Sequence, residues 1–427
     1  MNTLKTEPPR AYRWLVLVFI SLAMFGNYYI YDSIAPIADI LKSDLGFSDE
    51  NIGQMYSVYS FAAIFVLLFG GIFIDRYGTK ISIVIFGIIS TIAAIVTWTS
   101  PDLTVMLIGR VILGIGSEPL IVAITTALAK WFKGKELSFA FGINLTIARL
   151  GSVAADNSPS WGGAFYTNWQ DPLFLAVIIS LCCIIGGVIY WMLESNAEKK
   201  YTLGAAGETD KFVLKDLFGF NKSFWLIVLL CVTFYSAIFP FRSFAIKFFI
   251  EGHGMTRESA GFLNSILPMS AMIATPLFGL MADKLGKRAL LMAVGSIILI
   301  PVYLMMVYTD ISPYVPIVMM GISFSLIPAV MWPSVAYIVD EKKLGTAYSV
   351  MTLIQQGGLF LFNWMIGSAN DAAGASAANP EGYIPGMWIF SILGFLGLLF
   401  SIMLHKHESG PKGHGLELAM GKKIETE

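Results

Sequence analysis

Residues 71–80 read Gly-Ile-Phe-Ile-Asp-Arg-Tyr-Gly-Thr-Lys, and residues 279–288 read Gly-Leu-Met-Ala-Asp-Lys-Leu-Gly-Lys-Arg. Each copy follows the second long apolar run of its half of the chain. Such a segment needs a tight turn between two closely packed helices, which glycine permits, and its acid can meet basic groups or a helix N-terminus. One copy would fit an ordinary charged loop. Two copies at equivalent places indicate duplicated six-helix units.

The composition of the whole chain is that of a membrane protein. Apolar residues make up 56% of the 427 residues and charged residues 13%, against roughly 45–50% and 25% in soluble domains. The apolar residues are gathered into runs such as 81–98, 174–192 and 386–404, each close to the roughly 20 residues that cross a bilayer. All three cysteines lie inside such runs, so we expect no disulfide framework. Formal net charge is −1 with dispersed basic residues, which argues against a nucleic-acid partner.

The apolar runs predict an all-α membrane protein with twelve transmembrane helices in two pseudo-symmetric six-helix bundles. The predicted domains are an N-terminal bundle at 1–193, a cytoplasmic linker at 194–222, a C-terminal bundle at 223–405 and a cytoplasmic tail at 406–427. The predicted helices lie near 13–36, 52–74, 80–99, 104–130, 136–158, 173–193, 223–250, 258–282, 288–308, 314–339, 344–368 and 386–404.

The distribution of basic residues predicts the orientation of these helices. Most of the 28 lysines and arginines fall in the N-terminus, alternate loops, the linker and the tail. Cytoplasmic loops carry this excess, so we expect both termini in the cytoplasm. The opposite face holds Lys42 and Arg257, with Lys247 placed at a helix end.

The duplicated segment resembles the hallmark of the major facilitator superfamily, Gly-x-x-x-Asp-(Arg/Lys)-x-Gly-x-(Lys/Arg). Arg110, followed by Gly114 and Gly116, resembles the superfamily's fourth-helix motif. The resemblance implies a major facilitator fold that opens alternately to either side of the membrane. The residues that we expect to act in gating are Asp75, Arg76, Arg110, Asp283 and Lys284.

Two charges inside predicted spans are the most informative candidates for a substrate site, because an ionisable group in the membrane is expensive unless paired or hydrated. Glu118 in the fourth helix and Arg149 in the fifth lie about 18 and 20 Å from the cytoplasmic ends of their helices at about 1.5 Å per residue. They could simply neutralise each other. They could also hold the two ends of a zwitterion, with Arg149 clamping a carboxylate and Glu118 accepting from an ammonium.

Other polar and aromatic residues inside the spans could contact the same substrate. Tyr28, Tyr31 and Asp32 cluster in the first helix, where water at the outer end could instead hydrate the acid. In the seventh helix, Tyr235, Phe239 and Arg242 share a face, although aromatic stripes usually serve packing. Asn264, Trp332 and Gln355 complete the predicted site, with interhelical hydrogen bonding as the alternative.

A closer resemblance links the chain to the major facilitator superfamily domain-containing 1 branch, whose animal members are lysosomal dipeptide uniporters. It spans roughly residues 14–405 and places the family's amino-group acid and carboxylate-binding arginine on Glu118 and Arg149. The stretches that carry it are 25–32, 114–118, 131–137, 148–152, 239–241, 264–265, 332–333, 344–348 and Gln355.

The residues and the resemblance together predict a dipeptide or short-peptide uniporter that works by alternating access. The alternatives are a proton-coupled carrier of another small zwitterion or organic anion, and a non-transporting membrane sensor or assembly partner. We expect no catalytic activity, cofactor or metal, and name no protein partner. Residues 1–10 lack the animal members' acidic dileucine signal and the outer loops show no evident glycosylation sequon, so we expect a bacterial inner membrane.

Overall fold

The computed structural model describes residues 7–132, 135–203, 217, 219–411 and 413–418, and within them the chain is built from α-helices joined by short turns. The helices are α1 Arg10–Asp32, α2 Ala38–Leu45, α3 Asp49–Thr99, α4 Leu103–Phe132, α5 Leu137–Asp156, α6 Ser158–Trp161, α7 Gln170–Lys200, α8 Lys222–His253, α9 Arg257–Leu285, α10 Arg288–Tyr308, α11 Tyr314–Ile338, α12 Leu344–Ala372 and α13 Ile384–Glu408.

These helices supply the predicted twelve membrane spans. Ten helical segments of the described chain are long and apolar enough to cross a bilayer. One of them, the 51-residue α3, is broken at Gly78 and makes two passes. The 29-residue α12 is a further pass, which is less hydrophobic than the ten because it contains asparagines and glutamines.

The glycine that closes each copy of the duplicated segment has the backbone conformation that the turn requires. Gly78 has φ +79° and Gly286 has φ +65°, a region that residues with a Cβ atom rarely adopt. The predicted glycine turns are therefore confirmed in both copies.

Contacts divide the chain into two compact units. The first contains residues 1–46 and 58–211, and the second contains 47–57 and 212–427. Residues 47–57, which comprise the start of α3 and the two residues before it, thus belong to the second unit, although they precede the first copy of the duplicated segment. The predicted bundle boundaries at 193 and 223 remain a prediction.

In the first unit, α1 packs against α5 and α7. Glycines on both partners allow this close approach: a Cβ atom at Gly151 of α5 would lie 2.3 Å from Phe25 O, and one at Gly186 of α7 would lie 2.5 Å from Phe19 O. Small residues are the usual means of bringing membrane helices together, since apolar side chains gain little over lipid. The position of α1 is therefore set by backbone contact.

In the second unit, α8 is the most enclosed helix and packs against α12 and α13. Tyr303 of α10 donates to Ala237 O of α8 at 2.7 Å, near the proline at position 240 that interrupts the helical hydrogen bonds. Asn221 caps the start of α8 by accepting from Phe224 N at 2.9 Å.

Part of the C-terminal tail also packs on the second unit. Leu416 is fully buried, and Glu417 Oε1 accepts from Ala289 N at 2.9 Å while Glu417 O accepts from Lys287 N at 3.0 Å. Arg288 donates to Leu418 O at 3.3 Å. Residues 413–418 therefore cap the N-terminal end of α10.

The predicted sixth helix ends too early. The sequence predicts an end at residue 193, but α7 continues to Lys200. Glu194 is 1% exposed and pairs with Lys130 of α4 at 2.7 Å, with bonds to Thr79 at 3.3 Å and to Tyr190. This buried carboxylate anchors the last turns of α7 to its neighbours, so they stay helical beyond the apolar run.

Candidate functional site

Glu118 lies at the middle of α4 in the first unit and is half-buried. The Tyr59 hydroxyl of α3 donates to Glu118 Oε1 at 2.9 Å and contacts Ser117 Oγ at 3.1 Å. Asn27 of α1 donates to the same Ser117 Oγ at 2.8 Å. The bond from Tyr59 fixes the orientation of the Glu118 carboxylate.

A glycine brings Tyr59 to this position. A Cβ atom at Gly114, one turn before Glu118, would lie 2.5 Å from Tyr59 O, so α3 and α4 touch through their backbones here. Tyr59 is 4% exposed and its ring meets that of Tyr31 edge-on with 4.8 Å between centroids. The hydroxyl is therefore positioned by the backbone contact at Gly114 and by the contact of the Tyr59 ring with Tyr31.

Arg149 lies on α5 at about the depth of Glu118. Both are about 20 Å from the ends of their helices nearest the first duplicated segment, at about 1.5 Å per residue. The Arg149 guanidinium carbon is 5.9 Å from the centroid of the Tyr28 ring, within the range of a cation–π contact. The structure thus places Arg149 and Tyr28 of the predicted site side by side in the first unit.

Arg110 and the end of α1 form a neighbouring group. Arg110 is 1% exposed and donates to Ile30 O at 3.3 Å and Tyr31 O at 3.2 Å. Its guanidinium also lies 5.4 Å from the Tyr31 ring centroid and 5.8 Å from that of Tyr59. A cation at the carbonyl end of a helix complements the helix dipole. Asp32, expected where water could hydrate it, is 5% exposed.

In the second unit, three predicted aromatic residues lie in one patch. Trp332 Nε1 donates to the Tyr235 hydroxyl at 2.9 Å, and the Tyr235 and Phe239 rings are 5.7 Å apart. Tyr348 extends the patch, with its ring 6.0 Å from that of Trp332. Trp332 and Phe239 are half-buried, so part of this aromatic surface remains accessible.

The polar residues predicted in the second unit are more deeply placed. Arg242 is 3% exposed and Asn264 is fully buried, with Asn264 Nδ2 at 3.5 Å from Arg242 O. Gln355 is half-buried and accepts a weak bond from Cys231 Sγ at 3.9 Å. Asn264 and Gln355 thus make interhelical bonds, and a role of either residue in substrate binding remains a prediction.

Four of the five predicted gating residues lie beside the glycine turns of the duplicated segments, and the fifth is the buried Arg110 described above. Asp75, Arg76, Asp283 and Lys284 are exposed. Asp283 Oδ1 accepts from Arg288 at 3.0 Å, and the Arg288 guanidinium stacks 4.2 Å from the Tyr337 ring. The acid of the second copy thus pairs with the last basic residue of its own segment.

Sequence reasoning missed four residues that the structure brings into polar contact. Asn27, Tyr59 and Ser117 surround Glu118, but a tyrosine or serine within an apolar run gives no local signal of its partner. Lys247 was placed at a helix end, whereas it is fully buried within α8. Its signal was Glu251 one turn later, a lysine–acid spacing inside an otherwise apolar run.

Comparisons with known proteins agree with this architecture. The Major Facilitator Superfamily model matches residues 20–363. The lysosomal dipeptide transporter MFSD1 of Danio rerio is 33% identical over 378 residues, covering 85% of this chain and 82% of that protein. The Homo sapiens protein of the same name is 32% identical over 384 residues, covering 86% and 82%.

Solved structures share the fold. A bacterial homolog of the human lysosomal transporter Spinster, in an inward-facing and unoccupied conformation, superposes with a TM-score of 0.75 at 17% identity, covering 93% of this chain and 98% of that one. The nucleoside transporter NupG gives 0.72 at 14% identity, covering 92% and 98%. With the family match over most of the chain, these findings establish that the protein belongs to the Major Facilitator Superfamily and is a multi-pass membrane transporter.

Proposed function

We propose that the protein carries dipeptides or short peptides, with Glu118 binding the peptide amino group and Arg149 its carboxylate. The observation that carries the proposal is the placement of these opposite charges on adjacent helices at one depth, each beside a tyrosine of the same unit. The similarity to proteins named lysosomal dipeptide transporters supports the same substrate class.

Recognition of the two termini explains how one site could accept many peptide sequences. Every dipeptide has an ammonium and a carboxylate, and charge-assisted bonds to these groups are about twice as strong as neutral ones. A guanidinium offers a planar pair of donors that matches a carboxylate. The side chains would then meet a more permissive surface, to which Tyr28, Tyr31 and Asp32 of the first unit contribute.

The predicted residues of the second unit belong to the same proposal. Tyr235, Phe239 and Trp332 present an aromatic patch suited to apolar peptide side chains, since such rings offer large contact areas and polar edges. Arg242, Asn264 and Gln355 would add polar contacts there.

We further propose facilitated diffusion, with the substrate gradient alone setting direction. A guanidinium at the depth of Glu118 favours the ionised carboxylate, so protonation would require the two groups to separate. The proposed site of action is a bacterial inner membrane. The excess of basic residues in alternate loops supports the placement of both termini in the cytoplasm.

The test of substrate class is ligand-dependent thermal stabilisation of the purified protein. A ligand that binds only the folded state raises its apparent stability by mass action. Free dipeptides should raise the unfolding temperature. Acetylating the amino group or amidating the carboxylate should reduce this rise more than changing a peptide side chain does. Equal stabilisation by free and blocked peptides would contradict recognition of the termini.

The test of the two charges is dipeptide counterflow in proteoliposomes. Glu118→Gln and Arg149→Ala should abolish exchange, and Arg149→Lys should restore little because a point charge lacks the two-pronged geometry. Wild-type exchange by the first two variants would refute the assignment. Dipeptide binding without counterflow would favour a non-transporting membrane sensor. Thermal stabilisation only by other zwitterions or by organic anions would favour a proton-coupled carrier of those compounds.

A further inference from the structure

Asn27 of α1 is buried beside the pair formed by Tyr59 and Glu118. It is 1% exposed, and its Nδ2 donates to Ser117 Oγ of α4 at 2.8 Å. The Tyr59 hydroxyl is within hydrogen-bond distance of the same Ser117 Oγ, at 3.1 Å, and of Glu118 Oε1, at 2.9 Å. One donor from α1 and one from α3 therefore meet at the Ser117 oxygen.

The Tyr59 hydroxyl has a single proton and faces two acceptors in the described chain. A phenol donates one hydrogen bond, and the two oxygens lie at nearly equal distances. The Glu118 carboxylate is the stronger acceptor, because charge-assisted bonds are about twice as strong as neutral ones. A bound ammonium draws on the same charge and reduces this advantage, so the Ser117 oxygen then competes for the proton.

The bond from Asn27 weakens this competitor. A serine oxygen has two acceptor positions, and the Asn27 amide occupies one of them. Ser117 is 2% exposed, so its oxygen needs a partner within the protein. Asn27 supplies that partner without help from Tyr59. The Tyr59 proton can therefore stay on Glu118 when a cation arrives.

Glycine contacts fix the backbones that carry this arrangement. Asn27 follows Gly26, at which a Cβ atom would lie 3.1 Å from a backbone oxygen of α7. Ser117 follows Gly116, at which a Cβ atom would lie 2.8 Å from Ser90 N of α3. A site built on closely packed helices holds its side chains precisely. The relative positions of the donors and acceptors are therefore set by the fold of the first unit.

We propose that Asn27 is a positioning residue for substrate binding, which directs the Tyr59 hydroxyl to Glu118 by occupying the competing Ser117 oxygen. The proposal rests on the proposed function for its ligand, a peptide whose ammonium is bound by Glu118. Asn27 acts through Ser117 and Tyr59 and makes no contact with the peptide. Its removal should therefore weaken binding only while the Ser117 oxygen is present.

The test is a double-mutant cycle on purified protein, in which titration calorimetry measures the dissociation constant for alanylalanine. Asn27→Leu removes the donor and keeps a side chain of similar size. It should raise the dissociation constant by about threefold or more, but by less than Tyr59→Phe does, because only part of the hydrogen bond to Glu118 is lost. In Ser117→Ala protein, which lacks the competing oxygen, the same replacement should change the constant by less than about twofold.

The matched control is Asn144→Leu. Asn144 of α5 is 3% exposed, and its Nδ2 donates to Ser21 Oγ of α1 at 2.9 Å. Its replacement thus removes the same kind of buried bond from the same unit, and should lower the unfolding temperature without raising the dissociation constant. Asn27→Ala, with and without Ser117→Ala, repeats the cycle with a smaller side chain in case Asn27→Leu prevents folding.

An infrared measurement tests the proposal without a peptide. The carboxylate stretching band of Glu118 is the band that disappears in Glu118→Gln, and its frequency depends on the hydrogen bonds that the carboxylate accepts. Asn27→Leu should shift this band, whereas Asn144→Leu should not, and the shift should be absent in the Ser117→Ala background. If the wild-type protein does not bind alanylalanine, the peptide assignment is wrong, and this band alone decides the role of Asn27.

Two results would overturn the proposal. One is an equal effect of Asn27→Leu with and without the Ser117 oxygen, in binding or in the infrared band. The other is an equal effect of Asn27→Leu and Asn144→Leu. Either result would show that Asn27 only supports the packing of α1 against α4.

Discussion

Replacing Tyr59 by phenylalanine tests whether a hydrogen bond within the protein prepares Glu118 for its ligand. The change removes one hydroxyl, which is 2.9 Å from Glu118 Oε1 and 3.1 Å from Ser117 Oγ, and keeps the ring in contact with Tyr31. A hydrogen bond to a charged group contributes about 1.5–3 kcal/mol. In the empty protein water can replace the lost donor, because Glu118 is half-buried.

The loss should therefore appear mainly when a substrate covers the carboxylate and excludes that water. If the whole contribution of this hydrogen bond is lost, the dissociation constant for a dipeptide should rise by about 10- to 100-fold, since about 1.4 kcal/mol corresponds to a factor of ten. Titration calorimetry on purified protein would measure the dissociation constant for a free dipeptide and for its N-acetylated form, and the latter should change little.

The matched control for this change is Tyr303→Phe, which removes a buried hydroxyl that donates to Ala237 O at 2.7 Å in the second unit. It should lower thermal stability without affecting discrimination between free and acetylated peptides. Unchanged or tighter dipeptide binding by the Tyr59→Phe protein would refute the reasoning, because it would show that Glu118 binds its ligand equally well without this orienting donor.

Two further predictions concern helix packing and energy coupling. Gly151→Ala should lower the free energy of unfolding by about 1–3 kcal/mol through overpacking, since its methyl group would lie 2.3 Å from Phe25 O. The control in thermal unfolding is Gly142→Ala on the same helix, whose methyl group meets nothing within 4 Å. Equal unfolding temperatures for the two variants would contradict the close α1–α5 contact. In proteoliposomes with equal neutral dipeptide on both sides, an inward proton gradient should cause no accumulation, and accumulation that a protonophore abolishes would establish proton coupling instead.

The features that could be predicted from the sequence are those that depend on local sequence patterns. The spans follow from apolar runs of bilayer length, and the turns at Gly78 and Gly286 follow from a segment that occurs twice. The common depth of Glu118 and Arg149 follows from counting along two helices. Each of these inferences uses residues that are close together in the chain, so no knowledge of helix packing was needed.

The features that could not be predicted depend on which helix faces meet. Tyr59 and Ser117 are ordinary residues of apolar helices until Gly114 brings two backbones together. Lys247 looked like a helix-end lysine because its partners Asp49 and Tyr383 are far away in the sequence. The last turns of α7 were assigned to the linker since their polarity suggests a loop, whereas burial of Glu194 keeps them helical.

The packing of residues 413–418 has a practical consequence for handling the protein. A chain shortened before residue 413 would lose the buried Leu416 side chain and the Glu417 acceptors for the first amides around α10. Fluorescent fusions and affinity tags therefore belong beyond residue 418, with a spacer, so that their attachment does not pull on this segment. A deletion series from the C-terminus should be interpreted as a change in the second unit itself and not as removal of an inert extension.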